Sequence, residues 1–364
     1  MNRTALILGA TGGVGGETAR ALIAHGWTVR GLTRKPRAST DGIEWLVGDA
    51  LDRESVLSAA QGVSAIVHAV NPPGYRDWAK LVLPMLDNSI AAAEAVGARL
   101  ALPGTIYNYD PRHDPIVAEG SAQNPTTKKG AIRVEMEKRI ELACERGMRA
   151  VILRAGDFFG PRSGNNWLSQ GMVTPGKPVR SIVYPGTRRI GHSWAYLPDV
   201  AETFARLLDR DSALPAFARY HFQGFWDGDG TEIVDAIRAA TGRPDIKAHA
   251  LPWPLLPLIA PFNQTMRELI EMRTFWQHPL RLDSSALVAL LGEEPHTPLN
   301  EAMATTLDAL GCLPDNRVPT GTSTDGGGTS GSSTCRSGSL TRKKIGPDRQ
   351  ARRSIGVDLC DIAT

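Results

Sequence analysis

Three glycines at every third position, Gly9, Gly12 and Gly15, follow the apolar run Ala5 to Leu8 and lead into a helix-forming stretch over Glu17 to His25. These residue types in this order suit a phosphate cradle. Gly9 lets the chain turn sharply out of a strand. A side chain at Gly12 would collide with a bound pyrophosphate, and one at Gly15 would hold the helix off the sheet. The helix N-terminus then offers free amide N–H groups and a partial positive charge to the phosphates. Thr11 lies inside the turn and belongs to the same expected cradle. The spacing alone also serves a tight structural turn in an α/β domain. What favours a dinucleotide is its place between a buried-type strand and a helix.

The next strand indicates which dinucleotide. Trp27 to Thr33 reads as that strand, and Arg34, Lys35 and Arg37 follow it. An NAD site places a carboxylate at this strand end for the ribose 2′-hydroxyl, whereas an NADP site places a cation near the 2′-phosphate. Here Thr33 holds the acidic position, with Arg34 beside it. A guanidinium both pairs with a phosphate and stacks on adenine. The same cations also suit a solvated loop. NADP(H) is therefore expected in preference to NAD(H).

Alternating strands and helices must position these groups. Ile43 to Val47, Ala65 to Ala69, Arg99 to Leu102 and Ala150 to Arg154 read as further strands. Helices are expected over Arg53 to Ala60, Arg76 to Val96 and Ala131 to Arg146. Such an order predicts a doubly wound parallel sheet of the Rossmann type, with ligands outside the carboxyl ends of its strands. Residues 1–160 are expected to form this core. Residues 161–314 are expected to form a smaller C-terminal substrate lobe, with 192–210 returning to the core. In that lobe Asp199 to Asp209, Thr231 to Thr241, Asn263 to Trp276, Ser284 to Leu291 and Leu299 to Leu310 read as helices, and His221 to Gly224 as a strand. From Asp315 the chain turns rich in Gly, Ser and Thr, lacks aromatic residues and gathers basic side chains. Such composition cannot offset its ordering entropy, so 315–364 is expected to be a disordered tail without a catalytic part.

Composition excludes several classes. Of the 364 residues 42% are hydrophobic and 22% charged, ordinary values for a soluble protein, and the net charge of +3 arises in the tail. Neither nucleic acid nor a membrane surface is expected as a partner. No stretch approaches the roughly 20 apolar residues of a membrane span. The four cysteines, Cys144, Cys312, Cys335 and Cys360, show neither metal-ligand nor disulfide-framework spacing, so no metal is expected. The early first strand leaves no room for a signal peptide, and a cytoplasmic setting is expected.

At this point the chain resembles the short-chain dehydrogenase/reductase superfamily, in its extended, atypical NAD(P)-dependent epimerase/dehydratase-like branch. The resemblance covers roughly residues 1–311. GATGGVG (Gly9 to Gly15) is similar to the branch's cofactor turn, and GDALD (Gly48 to Asp52) to the element whose Asp, here Asp49 beside Ala50, touches adenine. IVHAV (Ile66 to Val70), which contains Ala69, resembles the strand lining the cofactor. VILRAGDFFGP (Val151 to Pro161) resembles the strand entering the nicotinamide region. YLPDVAE (Tyr196 to Glu202) resembles an element whose Asp, here Asp199, pins the second lobe. A homodimer is implied only by analogy with relatives.

The usual catalytic set is not matched. Relatives carry a Tyr and a Lys four residues apart on one helical turn, after a Ser or Thr that follows the fifth strand. Counting back from Glu137 places Lys129 at the Tyr position and Arg133 at the Lys position, with Pro103 near the Ser position. Arg133 can hold the nicotinamide ribose but cannot donate a proton at neutral pH. Lys129 serves as acid or base if its neighbours lower its pKa, and is otherwise an exposed helix-start residue like Lys128. Tyr107 and Tyr109 follow the fifth strand and are expected to face the cleft, as proton donor with Thr105 as hydroxyl partner, or else to serve as pocket wall or core packing. Asp157, His192 and Trp194 belong to the same region by topology. Asn165, Asn166, Trp167, Phe158 and Trp226 are candidate pocket-lining residues for a polar cyclic, sugar-like or aromatic substrate. Three readings follow from this pattern. One is an NADP(H)-dependent oxidoreductase or epimerase-like enzyme acting on a small carbonyl- or hydroxyl-bearing molecule. Another is a non-catalytic NADP(H)-binding sensor or regulator, and the third is a scaffold that no longer binds cofactor.

Overall fold

The computed structural model describes residues 3–39, 41–72, 78–164, 166–260 and 264–313. Strands and helices alternate at first: β1 (Thr4–Leu8), α1 (Gly13–Ala24), β2 (Thr28–Thr33), β3 (Ile43–Val47), α2 (Arg53–Ala59), β4 (Ala65–His68), α3 (Trp78–Val96) and β5 (Arg99–Thr105). Next come β6 (Ile116–Val117), α4 (Lys128–Glu145), β7 (Arg149–Ala155), β8 (Asp157–Phe159), β9 (Ser181–Tyr184), β10 (His192–Tyr196) and α5 (Leu197–Asp209). The chain continues through β11 (Phe217–His221), β12 (Phe225–Asp227), α6 (Glu232–Thr241), β13 (Lys247–Ala250), α7 (Leu256–Ile259), α8 (Gln264–Glu271) and α9 (Thr274–Gln277). It closes with β14 (Arg281–Leu282), α10 (Ser285–Leu291) and α11 (Leu299–Ala309).

Seven parallel strands form the main sheet in the order β11-β7-β5-β4-β1-β2-β3. β1 reads as a continuous apolar run because helices cover both of its faces. Ala5 and Ile7 point toward α1 and α5, packing with Leu22 and Phe204, while Leu6 and Leu8 join Val56, Leu86 and Ile140 of α2, α3 and α4. Strand order reverses at β1, which pairs with β2 on one side and β4 on the other. The crevice at such a reversal is where ligands bind in open α/β sheets. A second core gathers Ile182, Trp194, Ile233, Ile237, Trp276 and Met303 beneath β9, β10, α6, α9 and α11. Asp199 in the first turn of α5 reaches the segment before α11: its carboxylate accepts from the Thr297 N–H at 2.8 Å and the Thr297 hydroxyl at 2.7 Å. The described residues belong to one compact unit.

Several elements differ from the sequence expectation. β5 runs on to Thr105 instead of stopping at Leu102, because β7 extends alongside it and pairs Pro103 with Leu153 and Thr105 with Ala155. Pro103 therefore lies inside the strand, and Thr105 holds its carboxyl end. The strand expected at 221–224 lies at Phe217–His221 and joins the main sheet beside β7. Gly224 instead turns with φ +61°, where an added Cβ would sit 2.3 Å from the Trp194 carbonyl oxygen. The long helix expected over 263–276 is two, α8 and α9, separated by a turn at Met272 and Arg273. Arg76, Asn165, Asn263 and the 315–364 tail lie outside the described residues. Among the described residues no helix is long and apolar enough to cross a membrane.

Candidate functional site

The glycine turn connects β1 to α1 at the strand reversal. Gly9 has φ +92°, and a Cβ there would lie 2.5 Å from the Ala69 carbonyl oxygen, so the turn and the end of β4 touch backbone to backbone. A Cβ at Gly15 would lie 2.4 Å from the Gly9 carbonyl oxygen. Gly12 differs, with φ −91° and only one close neighbour for a Cβ, the Gly9 carbonyl oxygen at 3.3 Å. Thr11 and Gly12 are exposed, and no side chain caps the first amides of α1. The fold thus demands glycine strongly at 9 and 15 and only mildly at 12. An uncapped helix start with an open residue before it fits a pyrophosphate. The 160–164 segment packs over this turn: a Cβ at Gly13 would meet the Ser163 carbonyl oxygen at 2.8 Å, and Arg162 donates to buried Glu17 at 2.9 Å.

At the end of β2 the Thr33 hydroxyl donates to the Lys35 carbonyl at 3.0 Å. Arg34 is exposed, whereas Arg37 lies over the Trp45 ring at 4.9 Å. Asp49 follows β3 and accepts from the Leu51 N–H at 3.0 Å, while the carbonyl of buried Ala50 is held by Asn88 at 2.9 Å. Ala69 continues from β4 and bonds through its N–H to Leu8 at 2.9 Å. The dinucleotide-side candidates therefore stand at the carboxyl ends of the neighbouring strands β1 to β4.

The remaining candidates cluster at the carboxyl ends of β5 and β7 and the start of α4. Thr127 caps α4 by accepting from the Gly130 N–H at 2.9 Å. Gly130 lies so close to the Tyr107 carbonyl oxygen that a Cβ would come within 2.1 Å. Lys128 is exposed, but Lys129 is only 5% exposed. Its backbone N–H donates to Glu271 at 3.1 Å, and its ammonium faces the same carboxylate at 4.0 Å. The Arg133 guanidinium donates to the Pro103 carbonyl at 3.3 Å and lies over the Trp78 ring at 5.4 Å. Tyr107 donates its phenol proton to Asp157 at 3.1 Å, and the Thr105 hydroxyl accepts weakly from the Tyr107 N–H at 3.4 Å.

Tyr109 does not face the cleft and takes the core-packing alternative. It is fully buried, with its phenol 3.3 Å from His221, so it belongs to the core and not the cleft. A one-turn 3-10 segment over Ile106–Asn108 rotates the two tyrosines apart. The Asn166 amide is consumed locally by Ser163, Gly164 and Ser169, and Trp167 packs against Trp276 and Trp253. Trp226 covers Gly191.

Sequence reading missed His68, Glu271 and Trp276. His68 ends β4, bonds to the Ser89 hydroxyl at 2.8 Å and is held neutral. Burial first, and then the Arg133 charge, push its imidazole down to about 3. A histidine inside an apolar strand was the available signal. For Glu271 and Trp276 no local signal existed, because their partners lie far away in sequence.

Fold and site define a dinucleotide-binding protein of the Rossmann type. The chain belongs to the NAD dependent epimerase/dehydratase family, whose model matches residues 5–220. That family consists of NAD(P)-dependent oxidoreductase- and epimerase-like enzymes. A 3-diazoavenalumate denitrifying reductase from a Streptomyces species is 28% identical over 174 residues, covering 44% of this chain and 57% of that protein. Sterol demethylase protein B of Methylococcus capsulatus is 38% identical over 78 residues, covering 20% of this chain and 24% of that protein. The chain thus matches little more than half of one curated relative and a quarter of the other. A putative epimerase from Burkholderia cenocepacia superimposes with a TM-score of 0.66 at 19% identity, over 85% of this chain and 98% of that one. MoeE5, solved with UDP-glucose and NAD, gives 0.64 at 18% identity over 84% and 98%. At such identities the likeness is one of fold.

Proposed function

We propose that the protein is an NADP(H)-dependent oxidoreductase or epimerase-like enzyme for a small carbonyl- or hydroxyl-bearing molecule, working without the usual Ser-Tyr-Lys set. The observation that carries this reading is the uncapped glycine turn at the strand reversal, where Gly12 is open toward solvent and Gly9 and Gly15 are closed by backbone. In this reading Gly9, Thr11, Gly12 and Gly15 hold the pyrophosphate. Asp49, Ala50 and Ala69 line the adenosine and ribose side, and Arg34 pairs with the 2′-phosphate. Arg133 holds the nicotinamide ribose through a guanidinium that never loses its charge. The nicotinamide, when bound, supplies the hydride donor or acceptor. The chain's own residues orient the substrate at the carboxyl ends of β5 and β7, and move its proton. Lys129 is poised there as a cation beside Glu271. Tyr107 is poised as a phenol beside Asp157, with the Thr105 hydroxyl close by.

A non-catalytic NADP(H) sensor is the second reading, and the replacement of all three usual residues by Pro103, Lys129 and Arg133 is what favours it. Calorimetric titration with NADPH and NADH, followed by turnover on a panel of small carbonyl compounds and alcohols, separates the two. NADPH is expected to bind more tightly than NADH, and Arg34→Ala to weaken NADPH about tenfold through loss of a charge-assisted pair. Equal binding of both would remove the NADP preference. Binding of neither would remove both readings, and NADPH binding with no turnover would leave the sensor.

A further inference from the structure

Tyr107, Asp157 and His192 form one hydrogen-bonded row outside the family's usual catalytic positions. Tyr107 leaves β5, Asp157 opens β8 immediately after β7, and His192 opens β10. Parallel pairing of β8 with β10, which sets Asp157 opposite Trp194, brings the last two together. The Tyr107 phenol donates to Asp157 Oδ1 at 3.1 Å, and His192 Nε2 lies 2.8 Å from Oδ2. His192 is buried and stacked flat on Trp276, with ring centroids 3.7 Å apart and planes at 8°. Tyr107 packs against Phe275 at 5.2 Å and, being only half-buried, is the least buried member of the row.

A buried carboxylate is costly, and a neutral amide would serve a purely structural bridge between a phenol and an imidazole at lower cost. Both carboxylate oxygens of Asp157 are instead engaged by O–H and N–H donors, an arrangement that fixes a proton acceptor in one geometry. The other candidate at this edge, Lys129, has its ammonium 4.0 Å from Glu271 and is not part of this row. We propose that the row is the proton relay of the site: Tyr107 meets the substrate oxygen, Asp157 takes the proton that Tyr107 gives up, and His192 holds Asp157 in place. The inference rests on the enzymatic reading above. In the oxidising direction the substrate O–H bond breaks as a new O–H bond forms on Tyr107. The original phenol O–H breaks as one forms on Asp157 Oδ1. Negative charge thereby passes from Asp157 to the substrate oxygen, and no electrons enter or leave in this proton shift. Reduction runs the same two transfers backwards. Tyr107 touches substrate, whereas Asp157 and His192 act through it as positioning residues.

The test uses the full chain with NADP+ or NADPH and the alcohol and carbonyl panel. Tyr107→Phe and Asp157→Asn are expected to lower kcat about 100-fold or more, the usual scale of positioned acid–base help. NADPH affinity is expected to stay within about threefold, because neither residue is assigned to the cofactor. Asp157→Glu is expected to restore part of kcat, and His192→Gln to lower it about tenfold. An independent readout is the imidazole N–H proton spectrum. A downfield resonance from His192 is expected in the wild type, lost in His192→Gln and displaced in Asp157→Asn. Wild-type kcat in Asp157→Asn overturns the relay and leaves the enzymatic reading standing. NADPH binding with no wild-type turnover on any panel member overturns both. Should Asp157→Asn fail to fold, Tyr107→Phe decides, since it removes a single oxygen, and unchanged kcat there overturns the relay.

Discussion

At Gly15 an added Cβ would lie 2.4 Å from the Gly9 carbonyl oxygen, a backbone atom that cannot move without shifting α1 off β1. At Gly12 the nearest atom would be 3.3 Å away, and the backbone conformation is open to any residue. The two glycines are therefore separable by experiment. Gly15→Ala is expected to cost about 1–3 kcal/mol of stability, the scale of overpacking a tight site, and to weaken NADPH with it. Gly12→Ala is expected to leave stability within about 1 kcal/mol while weakening NADPH by about tenfold or more. Urea unfolding read beside calorimetry checks both. Equal losses of stability would mean that Gly12, too, serves only the fold. The need for glycine at 9, 12 and 15 was legible in the sequence. The division of that need between packing and ligand was not, since it depends on which atoms approach each Cβ.

Helix α1 is fastened at its far end to α5. The His25 ring lies 2.6 Å from Asp209 and 3.0 Å from Glu202, and Trp27 donates to Asp209 at 2.8 Å. Burial alone would lower the His25 pKa, but hydrogen bonds to Asp209 and Glu202 outweigh it, and the net direction is up from 6.5. Glu202 and Asp209 move the other way. Burial opposes ionisation of both, but hydrogen bonds to Arg206 and His25 lower Glu202, and those to His25 and Trp27 lower Asp209. A raised histidine contributes stability that is complete below its ordinary pKa and lost as pH rises through the folded value. A lowered carboxylate contributes stability that is complete above its ordinary pKa and lost as pH falls through the folded value. The clamp is thus strongest between the ordinary values of 4.5 for Glu202 and 6.5 for His25. The stability lost in His25→Gln is expected to be greatest near about pH 5.5 and to shrink at higher pH. Unfolding curves at several pH values read this directly, and a pH-independent loss would show that the ring acts through packing.

Across the whole molecule, one buried charge cluster ties strands to helix behind the site. Glu137 of α4 accepts from Arg154 of β7 at 2.7 and 2.8 Å, and both side chains are buried. Asn108, Gln123 and Arg219 of β11 also converge on that carboxylate. Arg154 reaches on to the Thr105 carbonyl, so the cluster holds the strand end from which Tyr107 departs. Burial and then the Arg154 charge push the neighbouring His221 down to about 3, keeping it neutral among the arginines. Removing one partner strands a buried charge, so Glu137→Leu is expected to cost about 3–5 kcal/mol in chemical unfolding. A loss below about 1 kcal/mol would mean that Arg154 finds water or another acceptor.

The order of strands and helices, the glycine turn and the cations after β2 were all legible along the chain. Each rests on residue types within a few positions of one another, where periodicity and turn chemistry act. Tertiary structure decided the rest. Tyr107 and Tyr109 are alike in sequence, yet the 3-10 turn between β5 and the following loop sends one to the site and the other into the core. Lys129 became a buried cation because α8 delivers Glu271 to it. Asp157 and His192 became partners because β8 pairs with β10. β11 found the main sheet because β7 offered a free edge. A local pattern determines which element forms. Which distant side chains share a low-dielectric space follows only when packed elements exclude water and bring them together.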